Sequence, residues 1–356
     1  MYAVIMAGGR GTRFWPLSRT EKPKHLLNIT GEKTVIQLTV ERIKPLIPKE
    51  NILIVTGIDH ASEVAAQLPD IPEGNIIIEP MGRNTAPCIG LAALHIKRRT
   101  PHARMAVLPS DHLITDEDLY RATLAAAFDA AGRSPSLVTV GVEPTRPETG
   151  YGYIERGETA GTVGDRTIFT ARSYREKPDR ETALAFIEDG GFLWNSGMFV
   201  WSVSAILKEI EALLPDLYEE LLLMEKFIGT KEEEATVHAS YEKIRPVSID
   251  YGIMEKSRNV LLMEGDFGWS DIGSWDALWD ILEKDSEGNA LRGTVLQADT
   301  SNSLVFGGGK LIATVGISDC IVVDTEDALL ICRRGCSQDV RKIIEQLEEK
   351  KLTEYL

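Results

Sequence analysis

The sequence predicts an α/β protein: a mostly parallel sheet flanked by helices, followed by a small β-rich unit. Three observations carry this. Short β-rich apolar runs alternate with helical stretches through the first half of the 356-residue chain. Those runs are apolar on both faces, as expected where helices cover both sides of a parallel sheet. Beyond the polar stretch Glu283-Lys284-Asp285-Ser286-Glu287-Gly288-Asn289, read as a linker, the chain turns to short Val/Ile/Leu runs broken by Gly, Asp and Ser. The expected domains are therefore 1–285 and 286–356.

Taken in order, Tyr2–Met6, Asn51–Val55, Asn75–Ile78, Arg104–Leu108 and Leu137–Val142 read as strands. Thr34–Leu46, His60–Leu68, Thr85–Arg98 and Glu117–Ala131 read as the helices between them. Tyr151–Arg156 and Ile168–Arg175 look like strands of an insertion, and Leu193–Trp201 is a further strand. Helices are expected over Val203–Leu223 and Lys231–Ile244. The runs of Gly293–Leu330 suggest a β-helix or roll, closed by a charged helix over Arg341–Leu352. In such sheets ligands bind beyond the carboxyl ends of the strands.

Bulk properties narrow the function. The net charge is −15, from 39 basic and 54 acidic residues, which argues against a nucleic-acid partner because that needs a basic face. A single nucleotide needs only a few local cations. No apolar run is long enough to span a bilayer, and Tyr2–Met6 already reads as a strand where a signal core would lie. The four cysteines, Cys88, Cys320, Cys332 and Cys336, are sparse, so reduced thiols in a cytoplasmic protein are expected. Cys332 and Cys336 lack the neighbouring ligands of a zinc site.

The first strand ends in Ala7-Gly8-Gly9-Arg10-Gly11-Thr12-Arg13, with Lys24 following in Lys22-Pro23-Lys24. Glycines let backbone wrap a ligand closely, and basic side chains neutralise phosphate. A dinucleotide fingerprint fails at Phe14, where its third glycine belongs, and the loop lacks the Gly-Lys-Ser/Thr ending of a Walker A motif. Gly307-Gly308-Gly309-Lys310 fails as a Walker A motif too and reads as a hairpin turn. Asp111 follows Val107-Leu108-Pro109-Ser110 just past a buried strand, the place for a Mg²⁺ ligand or for a turn-capping aspartate. Asp271, in Gly268-Trp269-Ser270-Asp271-Ile272-Gly273, supplies a second carboxylate. Magnesium commonly takes one or two, leaving its other positions to phosphate and water. Three polar clusters suit a sugar: Pro147–Tyr153, Arg175-Glu176-Lys177-Pro178 and Leu193–Met198. His25 and His112 beside these motifs read as structural.

Together these segments resemble the sugar-1-phosphate nucleotidyltransferases, and more narrowly their mannose-1-phosphate guanylyltransferase (GDP-mannose pyrophosphorylase) branch. The narrower match lies in Glu79-Pro80-Met81-Gly82-Arg83-Asn84-Thr85-Ala86-Pro87, Phe192–Phe199, Ser248-Ile249-Asp250-Tyr251-Gly252-Ile253-Met254-Glu255 and Gly268–Trp275. The resemblance implies a Rossmann-like, mixed but mostly parallel sheet, the nucleotidyltransferase fold, with a small left-handed β-helix-like C-terminal domain. It implies transfer of GMP from GTP to mannose 1-phosphate, with Mg²⁺ held by Asp111 and Asp271. Ala7, Gly8, Gly9, Arg10, Gly11, Thr12 and Arg13, with Asn84, Thr85 and Ser110, would bind the nucleotide. Arg13, assisted by Arg10, would grip the leaving pyrophosphate. Lys24, Gly150, Glu176, Lys177 and Asn195 would bind the sugar phosphate. Arg13, Lys24, Asp111 and Asp271 would carry catalysis. Preference for guanine and mannose rests on the resemblance alone. A homodimer, no nucleic-acid or membrane partner and no phosphomannose isomerase domain are the remaining expectations.

Overall fold

The computed structural model describes residues 1–9 and 11–356, and of Thr12 the backbone alone. The chain runs through β1 (Tyr2–Ala7), α1 (Val35–Ile43), β2 (Ile52–Gly57), α2 (Ala61–Gln67), β3 (Ile76–Glu79), α3 (Thr85–Arg99), β4 (Arg104–Pro109), the short β5 (Leu113–Ile114) and α4 (Glu117–Arg133). It continues through β6 (Leu137–Val142), β7 (Tyr153–Val163), β8 (Arg166–Arg175), α5 (Arg180–Asp189), β9 (Phe192–Ser202), α6 (Val203–Leu213), α7 (Pro215–Glu225), α8 (Glu233–Lys243), β10 (Val260–Glu264) and the short β11 (Trp269–Ser270). The predicted strands therefore begin and end within a few residues of the observed ones, apart from β7, which runs on to Val163.

Nine of these strands form one sheet in the order β3-β2-β1-β4-β9-β6-β10-β8-β7. β3, β2, β1 and β4 are mutually parallel, and β9 is antiparallel to both β4 and β6. Ala3, Val4 and Ile5 of β1 have no exposed surface, as a strand buried on both faces requires. Val4, Val55, Met105 and Val107 pack in one core with Ile89 and Leu94 of α3, Ile206 and Ile210 of α6, and Leu221 of α7. Gly90 permits the α3–α7 contact, since a Cβ there would sit 2.8 Å from a methyl of Leu221. The expected single helix over Val203–Leu223 is two helices. Pro215 opens α7, and its ring and missing N–H prevent α6 from continuing through it.

Beyond α9 (Trp275–Ile281) come β12 (Ala290–Arg292), β13 (Val295–Ala298), β14 (Leu304–Phe306), β15 (Ile312–Val315), β16 (Cys320–Asp324), β17 (Leu329–Arg333) and α10 (Val340–Glu349). β12, β14 and β16 stack in one parallel ladder and β13 with β15 in another, the pattern of a coiling β-helix; β17 closes it antiparallel to β16. β14 and β15 belong to different ladders, so Gly307–Lys310 is a corner between two faces of the coil and not the predicted hairpin turn. The stretch expected to be a linker is an ordered turn. Asp285 accepts from the amides of Glu287 and Asn289, and the Asn289 side chain is buried against Gln297 and the Thr300 carbonyl.

Compactness divides the chain differently from a cut between 285 and 286. Unit 1 comprises Met1–Gly8, Thr39–Ser110 and Ile114–Trp269; unit 2 comprises Gly9–Leu38, Asp111–Leu113 and Ser270–Leu356. The division falls inside two of the motifs, between Gly8 and Gly9 and between Ser110 and Asp111. Among the described residues no helix is long and apolar enough to cross a membrane.

Candidate active site

In unit 2 the glycine-rich loop is held by its own geometry. Gly11 has φ +58°, and a Cβ there would lie 2.6 Å from the Lys24 backbone nitrogen, so glycine is required on two counts. Lys24 opens a short helical turn, Lys24–Leu26, and is buried. Its Nζ lies 2.9 Å from Asp111 Oδ2 and also donates to the Asp271 carbonyl oxygen. One ammonium thus clasps both aspartates that the sequence offered separately, through a carboxylate on one and the main chain of the other. Burial works to push the Asp111 carboxyl up, but the charges of Lys24, His112 and His25 and the Lys24 hydrogen bond outweigh it and hold it at about 2. Asp111 is therefore anionic throughout the working pH range.

The Asp271 segment is positioned by two anchors. Ser274 caps α9 through the Ala277 amide, and Trp275 Nε1 donates to the Trp15 carbonyl at 3.0 Å. Phe14 packs on Trp275 with ring centroids 4.9 Å apart. A Cβ on Gly273 would lie 2.8 Å from Asp271 Oδ2 and 3.1 Å from Arg13 Nη1, so the Arg13 guanidinium and the Asp271 carboxylate face the same small space. Arg13 and Gly9 are exposed. Arg10 lies outside the described residues. His112 Nε2 is 3.8 Å from Asp111 Oδ1, a supporting position.

In unit 1, Gly8 is exposed at the end of β1, and Ala7 is buried with its carbonyl accepting from Thr56 Oγ1 at 3.1 Å. Ser110 is buried past β4, its amide donating to the Met6 carbonyl at 3.2 Å. Asn84, at φ +70°, caps α3 and is exposed. The Thr85 hydroxyl accepts from the Ile249 amide at 2.8 Å, and Arg83 donates to the Tyr241 and Glu242 carbonyls at the end of α8. Arg83 thus stitches the loop in place.

Sequence reasoning assigned no role to Glu79. It ends β3, is buried, and accepts from Tyr241 Oη at 3.1 Å. Its Oε2 lies 3.6 Å from where a Gly8 Cβ would be. Burial pushes its carboxyl up to about 7, against the opposing hydrogen bonds of Tyr241 and Cys88. Cys88 itself is a buried thiol, and the other three cysteines are also unbridged. The signal for Glu79 was present as an acid closing an isoleucine run.

The sugar-type clusters also come together in unit 1. Lys177 Nζ pairs with Glu176 Oε1 at 2.8 Å, and the Lys177 amide donates to the Tyr151 carbonyl. Asn195 Nδ2 donates to Asp250 Oδ1 at 3.0 Å, as does Tyr174 Oη at 2.7 Å. Gly150 sits on a turn made by Glu148, whose Oε1 accepts the Gly150 amide at 3.1 Å. Burial raises the Glu176 carboxyl above its usual range. Gly152, Tyr174, Asp250 and Glu255 were not among the predicted site residues.

A glycine loop that follows a strand of a parallel sheet, with the Asp111 carboxylate and the Asp271 main chain clasped by a buried lysine, suits nucleotidyl transfer rather than a dinucleotide or Walker site. The nucleotidyl transferase family model matches residues 2–288, and a model described as the MannoseP isomerase/GMP-like beta-helix domain matches 293–347. A mannose-1-phosphate guanylyltransferase of Escherichia coli K12 is 40% identical over 98% of this chain and 73% of its own length. One from Salmonella montevideo is 39% identical over 99% of this chain and 75% of its own. A solved structure described as a mannose-1-phosphate geranyltransferase from Thermus thermophilus superposes with TM-score 0.84 at 33% identity, covering 98% of this chain and 99% of that one. The chain belongs to the nucleotidyl transferase family, in its mannose-1-phosphate guanylyltransferase group, and is an enzyme of nucleotidyl transfer.

Proposed function

We propose that this enzyme transfers GMP from GTP to α-D-mannose 1-phosphate, giving GDP-mannose and pyrophosphate. The observation that carries the reading is the Lys24 clasp on Asp111 and Asp271, and the names of its relatives supply the substrate pair. A phosphate oxygen of the sugar phosphate attacks the α-phosphorus of GTP in line. The new P–O bond forms as the α–β bridging bond breaks, and pyrophosphate departs with its electron pair. The attacking oxygen is anionic at neutral pH, so no general base is needed. The work is positioning and charge screening. Arg13 screens the departing pyrophosphate, and Lys24, fixed by its aspartate partners, screens the reacting phosphates.

The donor set suits Mg²⁺: Asp111 is ionised and Asp271 supplies a second carboxylate, while phosphate and water complete the usual coordination. Asp111 and Asp271 would hold the ion, whose bound charge would stabilise the pyrophosphate leaving group. Glu79 gives guanine a physical basis. A buried carboxylate beside Gly8 accepts from the N1–H and 2-amino group of guanine, donors that adenine does not present on that edge. Glu176, Lys177 and Asn195 bind the sugar phosphate. A cytoplasmic homodimer belongs to the same reading; unit 2 exposes Leu296, Val315, Leu329 and Ile331.

The test is pyrophosphate release across GTP, ATP and UTP with mannose 1-phosphate and glucose 1-phosphate, with and without Mg²⁺. GTP with mannose 1-phosphate is expected to be the best pair, inactive after chelation and restored by Mg²⁺. Equal turnover of another pair, or full activity in chelator, refutes the assignment.

A further inference from the structure

The Ser248–Glu255 segment is specific in sequence, yet the reaction scheme gives it no part. It folds as a π-helical turn, Asp250–Met254. Such turns are rare and concentrate at functional sites. Its two acids each hold a different sugar-site residue. Asp250 Oδ1 takes the Asn195 Nδ2 proton at 3.0 Å, and Glu255 Oε1 takes the Glu176 amide proton at 3.2 Å.

We infer that Asp250 is a positioning residue that fixes the Asn195 amide so that its remaining N–H, together with Glu176 Oε2, receives one sugar hydroxyl beside Gly152. Asn195 Oδ1 is occupied by the Gly197 amide, 3.0 Å away. With a donor on one end and a carboxylate on the other, the amide has one orientation; the flipped one would set N–H against N–H. Asp250 therefore dictates which end of Asn195 is the donor. Tyr174 Oη, donating to the same carboxylate oxygen at 2.7 Å, keeps Asp250 in place.

The absence of a side chain at Gly152 lets Glu176 and Asn195 converge beside its Cα. A Cβ on Gly152 would lie 2.5 Å from Glu176 Oε2 and 3.5 Å from Asn195 Nδ2. The Glu176 side chain is only 9% exposed, its Oε1 is paired with Lys177, and its Oε2 is buried with no hydrogen-bond partner among the described residues. A buried carboxylate oxygen without a donor is costly. A hydroxyl that donates to Glu176 Oε2 and accepts from Asn195 Nδ2 satisfies both groups at once. Glu255 sets the backbone of the acceptor and Asp250 the face of the donor, so one short turn aligns both halves of the pair.

This inference rests on reading Glu176 and Asn195 as sugar ligands, and the experiment separates the two. KM for the sugar phosphate and for GTP is measured for Asp250→Ala, Asn195→Ala and their combination. Asp250→Ala, which removes the acceptor, is expected to raise the sugar-phosphate KM about tenfold, the effect of one hydrogen bond, with the GTP KM unchanged. The double variant is expected to be no worse than Asn195→Ala alone, because the two act as one unit. The reciprocal exchange, Asn195→Asp with Asp250→Asn, restores a complementary pair but not the donor. It is expected to regain wild-type melting temperature while its sugar-phosphate KM stays raised. Additive single effects, an unchanged KM in Asp250→Ala, or a KM restored by the exchange would overturn the inference. If wild type does not turn over mannose 1-phosphate, the proposed substrate is wrong, and the same variants with the hexose 1-phosphate it does accept still decide the role of Asp250.

Discussion

Glu79→Gln separates the cost of burying a charge from its use in binding. The Glu79 carboxyl rises from its ordinary 4.5 to about 7 on folding, driven by burial and opposed by the Tyr241 and Cys88 hydrogen bonds. A carboxyl raised in the folded state contributes stability that is fully present below pH 4.5 and is lost as pH climbs through about 7. At about 1.4 kcal/mol for each tenfold change, that climb caps the loss at about 3 kcal/mol. Glutamine has the same shape, keeps an oxygen for Tyr241 Oη and carries no charge at any pH. Denaturant unfolding of both proteins between pH 5 and pH 8 should show the wild type losing stability relative to the variant as pH rises, with the difference growing by up to about 3 kcal/mol. The same variant should bind GTP more weakly and discriminate less against ATP. In the wild type, guanine selects the ionised carboxyl, so GTP KM should fall as pH rises through 7, and this slope should vanish in Glu79→Gln. Parallel stability profiles would refute the burial argument, and undiminished guanine preference would refute the binding role.

Asp111→Asn removes the anion that Lys24 clasps and should lower kcat by a factor of about 10²–10³, by analogy with loss of one charge-stabilising contact; a folded variant with near-normal turnover would sink the role of Asp111. Because its carboxyl is held at about 2, its stabilising contribution is present above its ordinary 3.8 and fades only as pH falls toward 2. Acid unfolding of the wild type should therefore be steeper than that of the variant at the lowest pH values. Gly11→Ala forces a Cβ to 2.6 Å from the Lys24 nitrogen at φ +58°, and should cost about 1–3 kcal/mol in denaturant titration, with pyrophosphate release falling at least in step.

The parallel strands at the start of the chain were legible because they are apolar on both faces. Ala3, Val4 and Ile5 in β1 are buried as that reading requires, and residue types alone suggest a phosphate role for the glycine loop that follows. The α6–α7 break at Pro215 carried its own signal, a proline inside a helical pattern. The corner at Gly307–Lys310 did not, since whether adjacent strands pair with each other or stack on earlier ones depends on partners far along the chain. The same limit hid the centre of the site. Lys24, Asp111 and Asp271 come from three distant segments, and no spacing shows that one ammonium meets both aspartates. Glu79 and Asp250 were quoted within motifs but given no task, because burial and hydrogen-bond partners set what a carboxylate does. Asp111 and Glu79 end at about 2 and about 7 for that reason alone.

The most direct measurement follows the α-phosphate. GTP labelled at that phosphorus is incubated with mannose 1-phosphate and Mg²⁺, and the products are separated. The account predicts that the label appears in GDP-mannose, that unlabelled pyrophosphate is released in equal amount, and that Asp111→Asn slows both together. Label recovered in free GMP or GDP without the sugar, or pyrophosphate released at the same rate without mannose 1-phosphate, would contradict it.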